Sequence, residues 1–266
     1  MKKIHYVDNY IVNPYHKVTV SVIGVGGTGS QVLTSLGRIN HALVRLGHPG
    51  LHVTAYDDDI VTDANCGRQL FSVQEIGLNK ADTLITKLNY FFGTDWESVP
   101  ARYDGKHTSN ITITCVDTAS ARLQIATILK DSNATNNDMS SAKYWLDMGN
   151  LADRGQIVLG TAFKTLCQPS NTVLMEGNDG KKKRFQCVGN LKCVNELFNL
   201  DHIDDTDNGP SCSLAEALSK QDLFINSTIA NFGCALLWRM FRIGILDIQG
   251  AYVNLSTMRV NPMIIS

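Results

Sequence analysis

Hydrophobic and polar positions along the chain follow two different periodicities. Valines alternate with other residues over 17–23 and lead directly into a glycine cluster, a pattern that predicts a β-strand ending in a tight turn. After that cluster, apolar side chains recur every three or four residues over 30–46, and Gly47 follows, which predicts a helix with a glycine at its C-terminal end. Residues 51–56 predict a second strand, so the first part of the chain is a βαβ unit.

The same two periodicities continue through the next hundred residues. The predicted elements are an amphipathic helix over 81–92, a weaker strand over 99–103, a buried strand over 111–116, a helix over 120–130, a loop over 131–141 and strands over 144–148 and 156–162. Ser72 and Glu75 have the spacing of a capping box ahead of the first of these helices. Alternating strands and helices predict a Rossmann-like α/β fold with a mainly parallel sheet and helices on both faces.

The composition changes after residue 165. Residues 166–212 are rich in Asn, Gly, Asp and Lys and hold only short apolar runs, which predicts a crossing loop or insertion without core elements. A mostly apolar helix over about 213–245 and closing strands over 251–265 complete the pattern. We therefore expect one domain over 1–266, with its core over 18–165 and a C-terminal helix and strands over 213–266.

Charge and hydropathy narrow the class of protein. The formal net charge is −1 and no large block of basic residues is present, so we expect no nucleic acid as the main partner. The first residues lack the apolar run of a secretory signal. No stretch approaches the roughly 20 apolar residues that cross a bilayer, so we expect a soluble, cytoplasmic protein without a membrane partner.

The glycine cluster is the first candidate for chemistry. Gly24, Gly26 and Gly29, with Gly27 between them, fit the spacing G-x-G-x-x-G between a strand and a helix. Glycines there allow a tight turn and close approach of a phosphate, and the amides of the helix N-terminus attract anions. The pattern predicts a nucleotide site, and the alternative is a glycine-rich turn without a ligand.

Acidic residues follow the second strand of the βαβ unit. A carboxylate at this place can accept hydrogen bonds from the ribose hydroxyls of a nucleotide, and Asp57 occupies it, with Asp58 and Asp59 beside it. The alternative is a solvated acidic turn, which fits Asp58 better than Asp57.

The segment that begins at this aspartate carries a more specific pattern. Asp57-Asp-Asp-Ile-Val-Thr-Asp-Ala-Asn-Cys-Gly-Arg-Gln69 resembles the D-x-D-x-V-x-x-x-N-x-x-R-Q signature of the ThiF, MoeB and ubiquitin-activating family, whose members adenylate protein C-termini. The resemblance continues through Phe71, residues 76–81 and Asp117, with Arg122 in the following helix, and covers about 18–165. It implies ATP, magnesium and the C-terminal carboxylate of a ubiquitin-like protein as substrate.

The resemblance also implies roles for single residues. It assigns Asp57 and Asp59 to nucleotide binding, with Asp57 on the ribose, Asn65, Arg68 and Gln69 to the phosphates, Lys80 to the region of the α-phosphate, and Asp117 to magnesium. Attack of a carboxylate on the α-phosphorus builds negative charge, which cations such as Arg68 and Lys80 would stabilise. Taken singly, both could be ordinary solvated charges.

Three further segments are similar to the ThiF-type proteins of bacterial PRTRC gene systems: Tyr144-Trp-Leu-Asp-Met-Gly149, Pro210-Ser-Cys-Ser-Leu214 and Gln221-Asp-Leu-Phe-Ile-Asn226. Such systems also encode ubiquitin-like and conjugating-enzyme-like proteins. This likeness implies a protein partner, and family analogy implies a homodimer. Two features depart from the family. Many relatives carry two zinc-binding CxxC pairs, and this chain has neither. Many relatives also insert an N-terminal arginine from a neighbouring subunit into the ATP site, but the first arginine here is Arg38. Lys2 or Lys3 could substitute for it.

Seven cysteines without an export signal point to reduced thiols. Ubiquitin-activating relatives pass the adenylated carboxylate to a cysteine, and Cys212 is our candidate because a helix N-terminus after it could lower its pKa. The alternative is a small buried residue. Cys187 is a poorer candidate and would need Cys193 and further ligands to bind zinc, whereas Cys115 and Cys234 are expected in the core.

Two other functions remain open from the sequence. An NAD(P)-dependent oxidoreductase would explain the glycines and Asp57 but gives no role to Arg68, Gln69 and Lys80. A non-catalytic scaffold would keep the nucleotide pocket and bind ATP without turnover.

Overall fold

The computed structural model describes residues 1–135, 141–176, 180–202 and 219–266. The strands are β1 (Lys2–Tyr6), β2 (Val18–Ile23), β3 (Leu51–Tyr56), β4 (Glu97–Val99), β5 (Ile111–Thr114), β6 (Tyr144–Asn150), β7 (Arg154–Thr161), β8 (Thr172–Glu176), β9 (Lys182–Cys187), β10 (Ile245–Leu246), β11 (Ile248–Asn254) and β12 (Arg259–Ile264). The α-helices are α1 (Asn9–Val12), α2 (Gly27–Arg45), α3 (Lys80–Phe92), α4 (Ala119–Thr135), α5 (Val194–Leu197) and α6 (Ile225–Ile243). Short 3₁₀ turns lie at Asp63–Asn65, Val73–Glu75 and Leu200–His202.

An eight-stranded sheet in the order β12-β11-β7-β6-β5-β2-β3-β4 forms the centre of the molecule. Strands β6, β5, β2, β3 and β4 are parallel, whereas β7, β11 and β12 extend the sheet in antiparallel pairing. The predicted Rossmann-like fold with a mainly parallel sheet is therefore confirmed. A second sheet, in the order β10-β1-β9-β8, holds the N-terminal strand.

Helices cover both faces of the large sheet because successive strand residues point to opposite sides. Val20 and Val22 of β2 join a core with apolar residues of α2, α3 and α6. Ile23, at the end of the same strand, joins a second core that contains Ile125 and Leu129 of α4. The strand-and-helix pattern of the sequence thus places one hydrophobic layer on each side of the sheet.

Three local predictions differ from the structure. The expected strand over 99–103 is β4 at Glu97–Val99, and α4 continues to Thr135, so the loop predicted from residue 131 was wrong for its first five positions. Polar residues suggested that loop, but helical hydrogen bonding continues through them. The capping box of Ser72 and Glu75 closes a 3₁₀ turn, while Asn79 caps α3 by accepting a hydrogen bond from the amide of Asp82.

The loop predicted over 166–212 was wrong for much of its described part. Strands β8 and β9 form an antiparallel hairpin, and β9 pairs in parallel with β1. Composition concealed these strands because most of the hairpin's side chains, the lysines of β9 included, are solvent-exposed. Leu191, Cys193 and Val194 are buried core residues. The first part of the helix predicted from residue 213 lies outside the described residues, and the helix seen is α6.

In the described ranges, no helix has both the length and the apolar character that would let it cross a bilayer.

A buried ion pair ties α4 to the sheet. Asp147 of β6 is 1% exposed, and Nε of Arg122 donates to its two carboxylate oxygens at 2.9 and 3.1 Å. Thr114 of β5 donates to the same carboxylate at 2.6 Å. Nη1 of Arg122 also donates to the carbonyl oxygen of Thr118 at 3.2 Å. One carboxylate therefore fixes β5, β6 and the start of α4 relative to one another.

We predict that Asp147→Asn lowers the free energy of unfolding by about 3–5 kcal/mol, because it leaves the buried guanidinium of Arg122 without a counter-charge. Equilibrium urea unfolding measures the change. Asp247→Asn is the control, since Asp247 pairs with Arg239 at 3.0 Å on the surface and its loss should cost less than about 1 kcal/mol. Equal losses in the two variants would contradict the role given to burial.

Candidate functional site

The turn after β2 brings the backbone close to β5. Gly24 has φ +86°, and a Cβ atom added to it would lie 2.8 Å from the carbonyl oxygen of Cys115. A Cβ atom on Gly29 would collide with the carbonyl oxygen of Gly24. Helix α2 begins at Gly27 with Gly26 as its N-cap. The first amides of a helix have no partner within it, so this turn presents donors that can bind an anion.

The turn lies where the order of strands reverses. Strand β2 has β3 on one side and β5 on the other, and in open α/β sheets ligands bind at the carboxyl ends of the strands at such a point. Asp57 directly follows β3, and Asp117 lies three residues beyond the end of β5. The glycine turn and both aspartates therefore share one edge of the sheet.

Asp57 is hydrogen-bonded to the glycine turn. Its Oδ2 atom accepts from the amide of Val25 at 2.5 Å, and its Oδ1 atom accepts from the amide of Asp59 at 2.9 Å. Burial raises the pKa of the Asp57 carboxyl, against the lowering effects of the Val25 amide and the charge of Lys80. The carboxylate thus joins the turn after β2 to the loop after β3.

Lys80 is a buried cation beside this loop. It begins α3 and is 8% exposed, and its Nζ atom donates to Oδ2 of Asp59 at 2.7 Å. The side-chain amide of Asn79 donates to the carbonyl oxygens of Asp57 and Asp59. Because the Asp59 side chain is 67% exposed, the positive charge of Lys80 is only partly screened within the protein.

The loop over 62–69 carries the remaining residues of the signature. The side-chain oxygen of Asn65 accepts from the amide and the hydroxyl of Thr62 at 2.9 and 3.1 Å, so it shapes the loop and leaves its amide nitrogen as the donor for a ligand. Gln69 is 8% exposed, and its Nε2 atom would be 4.0 Å from a Cβ atom on Gly26. The loop therefore brings Gln69 against the glycine turn.

Two buried polar atoms of this loop fit a nucleotide. Within the described part of the chain, Nε of Arg68 and Oε1 of Gln69 are buried and have no hydrogen-bond partner. Buried polar atoms are usually paired, and these two belong to adjacent residues of which Gln69 lies against the glycine turn. One is a cationic donor and the other an acceptor, which fits a ligand that carries both phosphate oxygens and polar hydrogens.

Carboxylates at the same edge are candidates for a metal. Asp117 is exposed at the rim beyond β5. The carboxylate oxygens of Asp57, Asp58 and Asp59 lie within 4.8 Å of one another, and among the described residues this is the one group of three potential metal ligands. Among the described residues, Cys187 and Cys193 are therefore not part of a group of three or more potential zinc ligands.

Asn226, at the start of α6, is a further polar residue beside the glycine turn. Sequence reasoning gave it no role. The Oδ1 atom of Asn226 accepts from the hydroxyl of Thr28 at 3.0 Å, and its Nδ2 atom donates to Oε1 of Gln221 at 2.9 Å. A Cβ atom on Gly27 would lie 2.7 Å from the Asn226 side chain. The available signals were an asparagine in the first turn of an otherwise apolar helix and the resemblance that residues 221–226 carry.

Three of the described cysteines are unsuited to act as nucleophiles. Burial raises the pKa of the Cys115 thiol and raises those of Cys193 and Cys234 to about 12, which disfavours the reactive thiolate. Core positions for Cys115 and Cys234 are confirmed. Cys187 ends strand β9, and Cys212 lies outside the described residues.

The N-terminal lysines belong to a different part of the molecule. Lys2 and Lys3 lie on β1, paired in parallel with Phe185 and Gln186 of β9 in the second sheet. Within this chain they do not belong to the loops that carry Asp57, Arg68 and Lys80.

The fold and the edge of the sheet define a Rossmann-like α/β protein with a glycine turn at its switch point. No family model and no curated protein matches the sequence. Solved structures do match in fold. PaaA has a TM-score of 0.55 and 14% identity, covering 93% of this chain and 64% of PaaA.

MccB from E. coli with ATP gives the same TM-score of 0.55 and 14% identity over 94% of this chain and 64% of MccB. MccB with AMPCPP and MccA has a TM-score of 0.56 and 15% identity over 94% and 64%. At this identity the comparisons show a shared fold. The chain spans a little under two thirds of the length of these proteins.

We predict that Asp57→Asn lowers the free energy of unfolding by about 1–3 kcal/mol, because an amide offers one acceptor where two backbone amides are now bound and turns a donor toward one of them. Denaturant unfolding measures the loss. Asp58→Asn is the matched control, since Asp58 is exposed and pairs with the exposed Arg102, and it should change stability by less than about 0.5 kcal/mol. An Asp57 variant as stable as the control would refute the bridging role.

Proposed function

We propose that this protein uses ATP to adenylate a carboxylate, and that the carboxylate is the C-terminus of a small ubiquitin-like protein. The observation that carries the proposal is that Asp57 and Gln69 lie against one glycine turn at the switch point of the sheet. Two cations adjoin them, because Arg68 precedes Gln69 in the chain and Lys80 is paired with Asp59 of the loop that Asp57 begins. Two cations beside a site for phosphates are what adenylation requires, because charge builds on the phosphate oxygens in the transition state.

Each residue then has a defined part in the reaction. A carboxylate oxygen of the substrate attacks the α-phosphorus and the bond to the β-phosphate oxygen breaks. Pyrophosphate departs, and the product is an acyl adenylate.

The turn of Gly24, Gly26, Gly27 and Gly29 holds phosphates. Asp57 holds the ribose and Asp59 orients Lys80, while Asn65, Arg68 and Gln69 bind phosphates. Asp117 would hold magnesium, which neutralises charge on the triphosphate.

The neighbours in fold support ATP as the ligand. MccB has been crystallised with ATP, and with AMPCPP together with MccA, so a protein of this fold binds adenine nucleotides. The resemblance of residues 57–69 to the ThiF and MoeB signature supports a protein C-terminus as the substrate that is adenylated. The homodimer rests on family analogy and the conjugating-enzyme-like partner on the likeness to the PRTRC-type proteins, and both stay predictions.

Hydride transfer accounts for fewer of the observations. A nicotinamide cofactor would use the glycine turn and Asp57. It leaves the buried Lys80 and the unpaired Nε atom of Arg68 without a function, because neither is needed to move a hydride. The two cations are the reason to prefer adenylation.

We predict that Lys80→Ala lowers the kcat/KM of ATP–pyrophosphate exchange by about 10²–10³-fold, because it removes a buried cation that stabilises charge on the reacting phosphate. The exchange is measured with radioactive pyrophosphate and a ubiquitin-like partner. Lys130→Ala, which removes an exposed lysine from α4, is the matched control and should leave exchange unchanged.

Other outcomes of this experiment would contradict the proposal. Wild-type protein that binds ATP without exchange would indicate a scaffold. Thermal stabilisation by NAD and not by ATP would indicate an oxidoreductase. Equal exchange in wild type and Lys80→Ala would remove the role given to Lys80.

We also propose that Cys212 receives the adenylated carboxylate as a thioester. Incubation with ATP and the ubiquitin-like partner should give a covalent adduct whose mass equals the sum of the two proteins less one water, and Cys212→Ala should give none. Mass spectrometry before and after treatment with a thiol reductant measures it, and Cys167→Ala, which removes an exposed cysteine, is the control. An adduct of equal yield in Cys212→Ala would contradict this assignment.

A further inference from the structure

Arg68 has an unusual environment for a cation. Its Nη1 atom donates to Oε1 of Gln221 at 2.6 Å, across 153 positions in the sequence. No carboxylate of the described residues pairs with its guanidinium within 4.0 Å. Its Nε atom is buried without a partner there. The hydrogen-bond partner that the structure gives this cation is thus a neutral amide.

Gln221 is itself held in place by other groups. Its Oε1 atom accepts a second hydrogen bond, from Nδ2 of Asn226 at 2.9 Å, and its Nε2 atom donates to the carbonyl oxygen of Leu151 at 3.4 Å. Asn226 is 4% exposed and is fixed in turn by the hydroxyl of Thr28. The amide therefore has a fixed position from which it can orient Arg68.

The chain of hydrogen bonds ends at the helix that would receive the phosphates. Thr28 lies in the first turn of α2, so Gln221 and Asn226 connect the guanidinium of Arg68 to the N-terminus of α2. An arginine and a helix N-terminus that are held by one network keep a constant separation. Such a constant separation favours a ligand whose negative groups meet both at once.

The atoms left unpaired indicate which side of Arg68 a ligand would use. A guanidinium is planar and carries five N–H donors. Gln221 holds Nη1, whereas the N–H of Nε lies on a different edge, which can bind two oxygens of a phosphate side by side. An arginine that is held at Nη1 and whose Nε has no partner among the described residues is suited to bind an anion at that Nε.

We propose that Gln221 is a positioning residue for Arg68: it holds Nη1 and so directs the Nε edge of the guanidinium toward the phosphates of the nucleotide. This proposal rests on the proposed function, because it takes a nucleoside triphosphate as the ligand of the site. Gln221 does not touch the nucleotide and acts through Arg68 alone.

The test compares ATP and adenosine binding by isothermal titration calorimetry. Gln221→Leu keeps the size of the side chain but removes the acceptor, and we expect it to raise the Kd for ATP about fivefold to tenfold. The Kd for adenosine should not change, since adenosine carries no phosphate. Gln221→Ala should likewise raise the Kd for ATP and leave the Kd for adenosine unchanged. It replaces the leucine variant in the test if that variant does not fold.

A double-mutant cycle separates positioning from a general structural effect. In an Arg68→Ala background, Gln221→Leu should cause no further loss of ATP affinity, because the residue through which it acts is absent. Gln124→Leu, which changes an exposed glutamine of α4, is the control and should bind ATP like the wild type.

The outcomes distinguish this proposal from the proposed function. Wild-type protein that does not bind ATP overturns both. Wild-type protein that binds ATP, with an unchanged Kd in Gln221→Leu, overturns only the role of Gln221. Equal losses for ATP and adenosine, or an equal loss in the Arg68→Ala background, also overturn it, because either result shows a general distortion of the pocket.

Discussion

The close approach of the glycine turn to the neighbouring strand determines the shape of this molecule's candidate site. Gly24 packs against the carbonyl oxygen of Cys115, and Gly29 packs against Gly24, with no room for a Cβ atom at either place. Because the turn is so tight, α2 begins directly at the end of β2 and directs its first amides along the edge of the sheet. The carboxylate of Asp57 can then bind the turn from the adjacent strand.

The elements around this turn could be predicted because their patterns are local. Alternating valines define β2, the three- and four-residue spacing defines α2, and Asp57 follows β3 by sequence order alone. Residues of the signature lie within 24 positions of one another, from Asp57 to Lys80, and reach the same edge because parallel strands present their carboxyl ends together. The signature's place in the fold was therefore foreseeable without knowledge of long-range packing.

Other parts of the structure depend on contacts that the sequence pattern does not contain. Strand β9 looks like a polar loop because its lysines face solvent, and only its pairing with β1 makes it a strand. Asp147 lies inside a buried strand, where an acidic residue signals a partner but does not identify Arg122 as that partner. The contact of Arg68 with Gln221 spans 153 residues and follows from the packing of α6 on α2.

The two cations of the site have different partners, one a carboxylate and the other a neutral amide, and this difference bears on how a triphosphate would bind. Lys80 is paired with Asp59, a carboxylate that is largely exposed. Water and ions can therefore solvate that carboxylate when the ammonium group of Lys80 binds a phosphate instead. Arg68 is held by the neutral amide of Gln221, so a phosphate that binds it would displace no carboxylate of the described residues. Because hydrogen bonds to ionised acceptors are stronger than those to neutral ones, Arg68 is the better first contact for an anion and Lys80 the better group to respond as charge develops.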